Sequence, residues 1–298
     1  MSASGQLPLG ELRPLEGRRL WADIAGNGEP AVVFLPGAGG FGLDLLRVHE
    51  LVARTTTSVI YDRAGTGWSD DIDLPRPMDE VIDELRQLLR LLGVEPPHLL
   101  VGHSLGGLYV QRHAQRFPDE VAAMLLLDPA HEDWDLYMPE ALKMANQPAT
   151  TDMPELPATF IAQYHSAFAS LFGAFPDPLR ELLVDRHFHA ERLRNGFREG
   201  ANVLAMFDQL RSAGPRPDVP LIILSGAASD ATQTLLSSTE VVRQQIEASR
   251  RLYDDMAAKT PRGEHRVLPD ASHLTIPLAR PDAVQRAVRD LLGRAAAA

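Results

Sequence analysis

The 298-residue chain has no cysteine, which excludes disulfide staples, thiolate zinc sites, iron–sulfur clusters and a cysteine nucleophile. Positive charge is scarce: 29 Lys and Arg face 40 Asp and Glu, and no basic block occurs. Nucleic acid and anionic membranes, which attract positive faces, are therefore not expected as partners. Long apolar runs are missing too. The opening MSASGQLPLGELRPLEGRRL breaks every apolar stretch with charges or prolines, so neither a signal-peptide core nor a membrane span is read there and a cytoplasmic protein is expected. What is present is 45% hydrophobic residues, enough to bury a large core in one domain or two. The natural ligand is expected to be small and neutral.

Seven short runs have β character: RRLWADIA (18–25), AVVFLPG (31–37), TTSVIYD (56–62), HLLVGHS (98–104), AAMLLLD (122–128), VPLIILSG (219–226) and EHRVLPD (264–270). Several are almost wholly apolar, as strands covered on both faces are. Segments with helical spacing lie between them. In MDEVIDELRQLLRLLG, residues Val81, Leu85, Leu88, Leu89 and Leu92 share one stripe and Gly93 is placed to end the helix. Other helices are expected near 42–54, 105–117, 240–258 and 281–294. The alternation predicts an α/β fold with a mostly parallel sheet. From His131 to Asp218 no strand is read, while prolines punctuate amphipathic pieces near 155–172, 178–188 and 190–212. A structureless loop of this length would be rare, so a helical insertion is expected. The chain accordingly divides into a core domain of two parts, 1–130 and 219–298, with a helical cap at 131–218.

VGHSLGG satisfies the pattern G-x-S-x-G between a strand-like and a helix-like run, the context that this pattern requires. Ser104 is the candidate nucleophile. A nucleophile on a sharp strand-to-helix turn needs neighbours without side chains, and its hydroxyl then projects from the sheet edge. A serine hydroxyl also needs a base. Of ten histidines, His273 follows the last β run on a short loop before the final helix; in a parallel sheet that loop lies at the same carboxyl edge as Ser104. His98 opens a strand, His103 neighbours the nucleophile, and His165, His187 and His189 lie in the insertion.

Together FLPGAGG, YDRAGTGWSD, GHSLGG and DASHLTIPLARPDAV, in this order, resemble the oxyanion loop, strand-four turn, nucleophile elbow and histidine loop of the α/β-hydrolase superfamily. The resemblance covers the whole chain and implies an eight-stranded sheet with a helical cap after strand six. It departs from the family at Pro36-Gly37, where His-Gly is usual. It also implies an oxyanion hole made by the backbone N–H groups of Ala38 and Leu105, donors that are insensitive to that side-chain change. For the acid that orients His273, the family offers two positions. Asp128 ends the strand after the elbow helix and is favoured, being rigidly held. Asp230 follows the next strand but stands one residue beyond the usual place, and is the alternative.

Asp62 and Arg63 read as turn-stabilising residues. HEDWD (131–135) lacks the spacing of a helical zinc motif and reads as a solvated cap entrance, and GAGG (37–40) lacks the Lys-Ser/Thr ending of a phosphate loop. No metal or cofactor is expected. Trp134, Tyr137, Tyr164, Phe168 and Met206 are candidates to line an apolar pocket. The reading is a cofactor-free serine hydrolase cleaving an ester or lactone of a small hydrophobic molecule through an acyl-enzyme. A small-molecule sensor on the same fold, a perhydrolase and a carbon–carbon bond hydrolase stand as alternatives.

Overall fold

Along the central strands, consecutive residues point to opposite faces and both sets are apolar. Val33, Leu35, Leu100, Met124, Leu126 and Ile223 enter one hydrophobic cluster, while Val32, Phe34, Leu99, Val101, Leu125 and Ile222 enter another. A strand built in this way must be covered on both sides, which is the arrangement in the computed structural model. It describes residues 9–146 and 157–297. The expectations that touch residues 1–8, 147–156 and 298, the cap at 131–218 among them, lie outside the described residues to that extent.

The strands are β1 (Glu11–Leu15), β2 (Arg18–Ala25), β3 (Val32–Leu35), β4 (Ser58–Tyr61), β5 (His98–His103), β6 (Val121–Leu127), β7 (Leu221–Gly226) and β8 (Gly263–Leu268). They form one eight-stranded sheet in the order β1-β2-β4-β3-β5-β6-β7-β8. The pairs β1–β2 and β2–β4 are antiparallel, and all others are parallel. Strand β1 was not among the seven runs read from sequence. It is a half-exposed edge strand that contains Pro14, paired on one side only, so it carries little of the apolar signal that marks the buried strands.

Helices α1 (Leu46–Val52), α2 (Met78–Leu91) and α3 (Gly106–Arg116) belong to the first part of the chain. Between β6 and β7 come α4 (Trp134–Tyr137), α5 (Ala158–Leu171), α6 (Asp177–Phe188), α7 (Ala190–Glu199) and α8 (Val203–Ser212). After β7 follow α9 (Ala231–Leu236), α10 (Thr239–Ala258), α11 (Ile276–Ala279) and α12 (Pro281–Ala296). Val81 and Leu85 of α2, Leu108 of α3 and Leu252 of α10 cover one face of the sheet. Val48 and Val52 of α1 and Val284 and Leu291 of α12 cover the other. Among the described residues no helix is long and apolar enough to cross a membrane.

The parallel strands all end at one edge. The loop 36–40 leaves β3 there, Ser104 follows β5, Asp128 follows β6, and His273 lies in the loop after β8. In an open α/β sheet this carboxyl edge is where ligands bind.

Candidate active site

Ser104 occupies a left-handed backbone conformation, φ 51°, costly for a non-glycine residue and kept only where surroundings enforce it. The enforcement is visible. Its N–H donates to Leu127 O (3.0 Å), and its carbonyl accepts from the N–H groups of Gly107 (2.9 Å) and Ala130 (3.0 Å). The turn is tight enough that a Cβ on Gly106 would stand 2.1 Å from Leu35 O, and one on Gly102 would stand 2.6 Å from Gly106 O.

Asp128 takes the same conformation, φ 45°, and its N–H donates to Leu224 O (2.8 Å). Its Oδ2 lies 3.2 Å from His273 Nδ1. Burial disfavours the imidazolium, but the hydrogen bond to Asp128 and its charge, with a smaller contribution from Asp230, outweigh that and hold His273 above the ordinary histidine value. Behind it His103 Nε2 reaches the backbone carbonyl of His273 (2.9 Å). Burial, with the neighbouring His273 adding to it, pushes His103 down to about 4, so the neutral ring donates to that carbonyl and fixes the loop.

Asp230 is occupied elsewhere. It caps α9, with Oδ1 accepting from the N–H groups of Thr232 (2.9 Å) and Gln233 (3.1 Å), and Oδ2 accepting from Ser272 Oγ (2.5 Å). It therefore braces the residue before His273 and makes no hydrogen bond to the imidazole.

Ser104, His273 and Ala38 line a cavity of about 300 Å³. The N–H groups of Ala38 and Leu105 meet no acceptor among the described residues. The walls are apolar, from Leu45, Leu278 and the insertion residues Tyr164, Phe168, Phe172 and Phe188. Arg192, His103 and an Asp44–His187 pair interrupt them: His187 Nε2 lies 2.8 Å from Asp44 Oδ1, and the ring stacks on Phe41 with centroids 3.9 Å apart.

Of the five candidate lining residues, Tyr164 and Phe168 face this cavity and three do not. Trp134 donates from Nε1 to Leu142 O and packs at the edge of the core. Tyr137 donates to Asp255 on α10. Met206 is buried beside Phe207 and Leu210 in the α3-side cluster. All three pack against the main core. Within 131–135, where a solvated entrance is expected, residues 132–135 are half-buried and His131 is buried, its Nδ1 accepting from Asp133 N (3.0 Å) and its Nε2 3.2 Å from Arg216 Nη2. Sequence reading missed Asp44, His187 and Phe188 as lining residues. No local motif marks them, because their convergence depends on how the insertion folds back.

A second serine–histidine–aspartate alignment exists, Ser225 Oγ to His265 Nε2 (2.7 Å) and His265 Nδ1 to Asp254 (2.8 Å). Ser225 is buried and lines no such cavity. Alignment without access leaves it a strand-to-helix brace.

The geometry accords with the comparisons. The model of the alpha/beta hydrolase family matches residues 32–287. The uncharacterized protein YbdG of Bacillus subtilis is 26% identical over 121 residues, 40% of this chain and 37% of that protein. A human (lyso)-N-acylphosphatidylethanolamine lipase is 33% identical over 104 residues, 34% of this chain and 30% of the lipase. The chain thus matches well under half the length of either. Among solved structures, Cfl2 of Burkholderia cenocepacia superposes with a TM-score of 0.69 at 20% identity, covering 94% of each chain. With its family model spanning most of its length, this chain belongs to the α/β hydrolase family.

Proposed function

We propose that the protein hydrolyses a carboxylic ester or lactone of a small hydrophobic molecule through an acyl-enzyme formed on Ser104. One observation carries the reading: a strained serine, an imidazole held by a carboxylate, and an uncommitted backbone N–H from Ala38 meet at one apolar cavity. His273 takes the hydroxyl proton as Ser104 Oγ attacks the carbonyl, and Asp128 keeps the ring in the productive tautomer. The N–H groups of Ala38 and Leu105 receive the negative charge that develops on the carbonyl oxygen. The alcohol leaves with the proton held by His273; water, deprotonated by the same ring, then releases the acid. In a lactone the alcohol stays tethered to the acyl group, and the product is a single hydroxy acid.

A cavity of about 300 Å³ walled by aromatic rings suits a compact apolar substrate. The lipase among the matched relatives is consistent with ester chemistry. Serine at the elbow, where an aspartate would serve an epoxide hydrolase or haloalkane dehalogenase, favours acyl transfer.

The test is a panel of p-nitrophenyl esters and aromatic lactones, with Ser104→Ala as the control. Turnover that falls by about 10⁴-fold or more in the variant is expected. Unchanged turnover in Ser104→Ala, or silence across the panel together with no labelling by a fluorophosphonate, overturns the reading.

A further inference from the structure

The loop that carries Ala38 is gripped from behind by a buried ion pair. Arg63, just beyond β4, is 1% exposed and Glu199, the last residue of α7, 4%. The two are joined by Arg63 Nε to Glu199 Oε1 (2.7 Å) and Nη2 to Oε2 (3.0 Å). The remaining capacity of both goes to one stretch of backbone. Arg63 Nη1 donates to Pro36 O (2.8 Å), Arg63 Nη2 donates to Gly37 O (2.7 Å), and Glu199 Oε2 accepts from Gly39 N (2.8 Å). Helix α7 presses on the same loop without side chains between, since a Cβ on Gly39 would stand 2.9 Å from the Cα of Gly196.

The bond to Gly37 O reaches the site through covalent geometry. The Gly37 carbonyl and the Ala38 N–H belong to one planar trans peptide and point in opposite directions. Holding the oxygen toward Arg63 turns the N–H the other way, and Ala38 lines the cavity. A cationic donor on the carbonyl also polarises the peptide, strengthening its N–H as a donor. A buried ion pair is weak evidence for stability, because an apolar pair of similar volume often serves as well. Bonds to three successive parts of the oxyanion loop are what an apolar pair would not supply.

We infer that Arg63 and Glu199 are a positioning pair that sets the direction and donor strength of the Ala38 N–H, so that seating of helix α7 from the insertion completes the oxyanion hole. The inference rests on the acyl-transfer reading above.

The test is the double variant Arg63→Met with Glu199→Leu, which leaves no lone buried charge. Expected are a folded protein, kcat lower by about 10- to 100-fold, below the full loss of an oxyanion donor, and KM within about 3-fold, because ground-state binding uses the cavity walls. Inhibition by a trifluoromethyl ketone, whose adduct bears the oxyanion, weakens in step with kcat/KM, and amide hydrogen exchange at residues 38–40 quickens. Should the double variant fail to fold, Arg63→Lys, which keeps the charge and loses the fork, is expected to show the same split in milder form. A folded variant with wild-type kcat, a loss carried by KM alone, or unchanged exchange overturns the inference. The two readings fail separately. Turnover independent of Ser104 ends the acyl-transfer reading and with it the role given to the pair, whereas Ser104-dependent turnover untouched by the double variant ends the positioning role alone.

Discussion

Ser104 and Asp128 share one rare backbone conformation on neighbouring strands, φ 51° and 45°, and the Ser104 N–H is bonded to the carbonyl of the residue just before Asp128. The two strand ends are thus fixed to each other. A carboxylate set by such a turn has little freedom, and it lies 3.2 Å from His273. Asp128→Asn is expected to lower kcat by about 10³- to 10⁴-fold, because the amide favours the wrong imidazole tautomer. Asp230→Asn is expected to leave kcat within a few-fold and stability within about 0.5 kcal/mol, because an asparagine oxygen can accept the same N–H groups that cap α9. Steady-state kinetics and thermal unfolding of both variants decide it. The opposite pattern would make Asp230 the orienting acid.

The raised pKa of His273 predicts a pH–rate profile. A general base must be neutral, so kcat/KM is expected to be flat at high pH and to fall as pH drops through the folded value, which lies above 6.5. In Asp128→Asn the residual activity should keep its plateau to lower pH, since the main interactions raising the pKa are gone. A limb that does not move between the two proteins argues against His273 as the titrating base. The linked stability runs the opposite way with pH: the His273–Asp128 pair stabilises the fold below the unfolded value near 6.5 and fades as pH rises through the folded one.

Much of this was legible in the chain, for physical reasons. VVFL and VAAMLLL are apolar at every register position because both faces of the sheet are covered, and the Gly-x-Ser-x-Gly spacing records backbone crowding that only glycine relieves. The insertion behaves otherwise. Its aromatic residues look alike in sequence whether they anchor helices, as Trp134 does, or wall the cavity, as Phe168 does. Glu199 is one of 40 acidic residues, and its burial against Arg63, 136 positions earlier, follows from tertiary packing that no local pattern announces.

The difference between wall and anchor is measurable. Phe168 lines the cavity while Met206 is 2% exposed in the core. Phe168→Ala is expected to raise KM for bulky aromatic esters by about 10-fold, as an aromatic contact is lost, and to leave acetate esters little changed. Met206→Ala is expected to cost about 2–5 kcal/mol in stability with KM unaltered. Comparison of KM across ester size, beside thermal melts, separates them; a KM change in Met206→Ala would place it among the walls after all.

Acid should weaken the fold before the exposed carboxylates protonate. Burial pushes His98 and His103 down to about 4 and His131 to about 3. The unfolded chain therefore binds more protons between pH 6.5 and 4, and stability is present above that window and lost as pH falls through it. Asp62, accepting from Gly42 N and Trp68 N but pushed up to about 7 by burial, acts in the opposite sense as a single group. One fully buried neutral histidine is worth up to about 3 kcal/mol by pH 4, so a fall in Tm of about 10 °C between pH 7 and pH 4.5 is expected. A Tm flat across that range would show that these rings take up protons without unfolding.

The sharpest structural prediction concerns Gly106. A Cβ there would lie 2.1 Å from Leu35 O and 2.7 Å from Pro36 O, both backbone atoms that no side-chain rotation can move. Gly106→Ala must therefore push α3 away from the end of β3, which separates Ser104 from the loop that carries Ala38. The strain has no local relief, so a loss of about 3 kcal/mol or more is expected, beyond the usual range for one substitution. Gly93→Ala is the contrast. Its Cβ would meet nothing within 4 Å, and only the left-handed angle, φ 69°, opposes it, a cost of about 1 kcal/mol. Thermal unfolding and fluorophosphonate labelling of both variants check the pair. If Gly106→Ala keeps wild-type stability and labelling rate, the elbow is looser than these contacts require, and the tight apposition of β3 and α3 is not what holds Ser104 in its strained conformation.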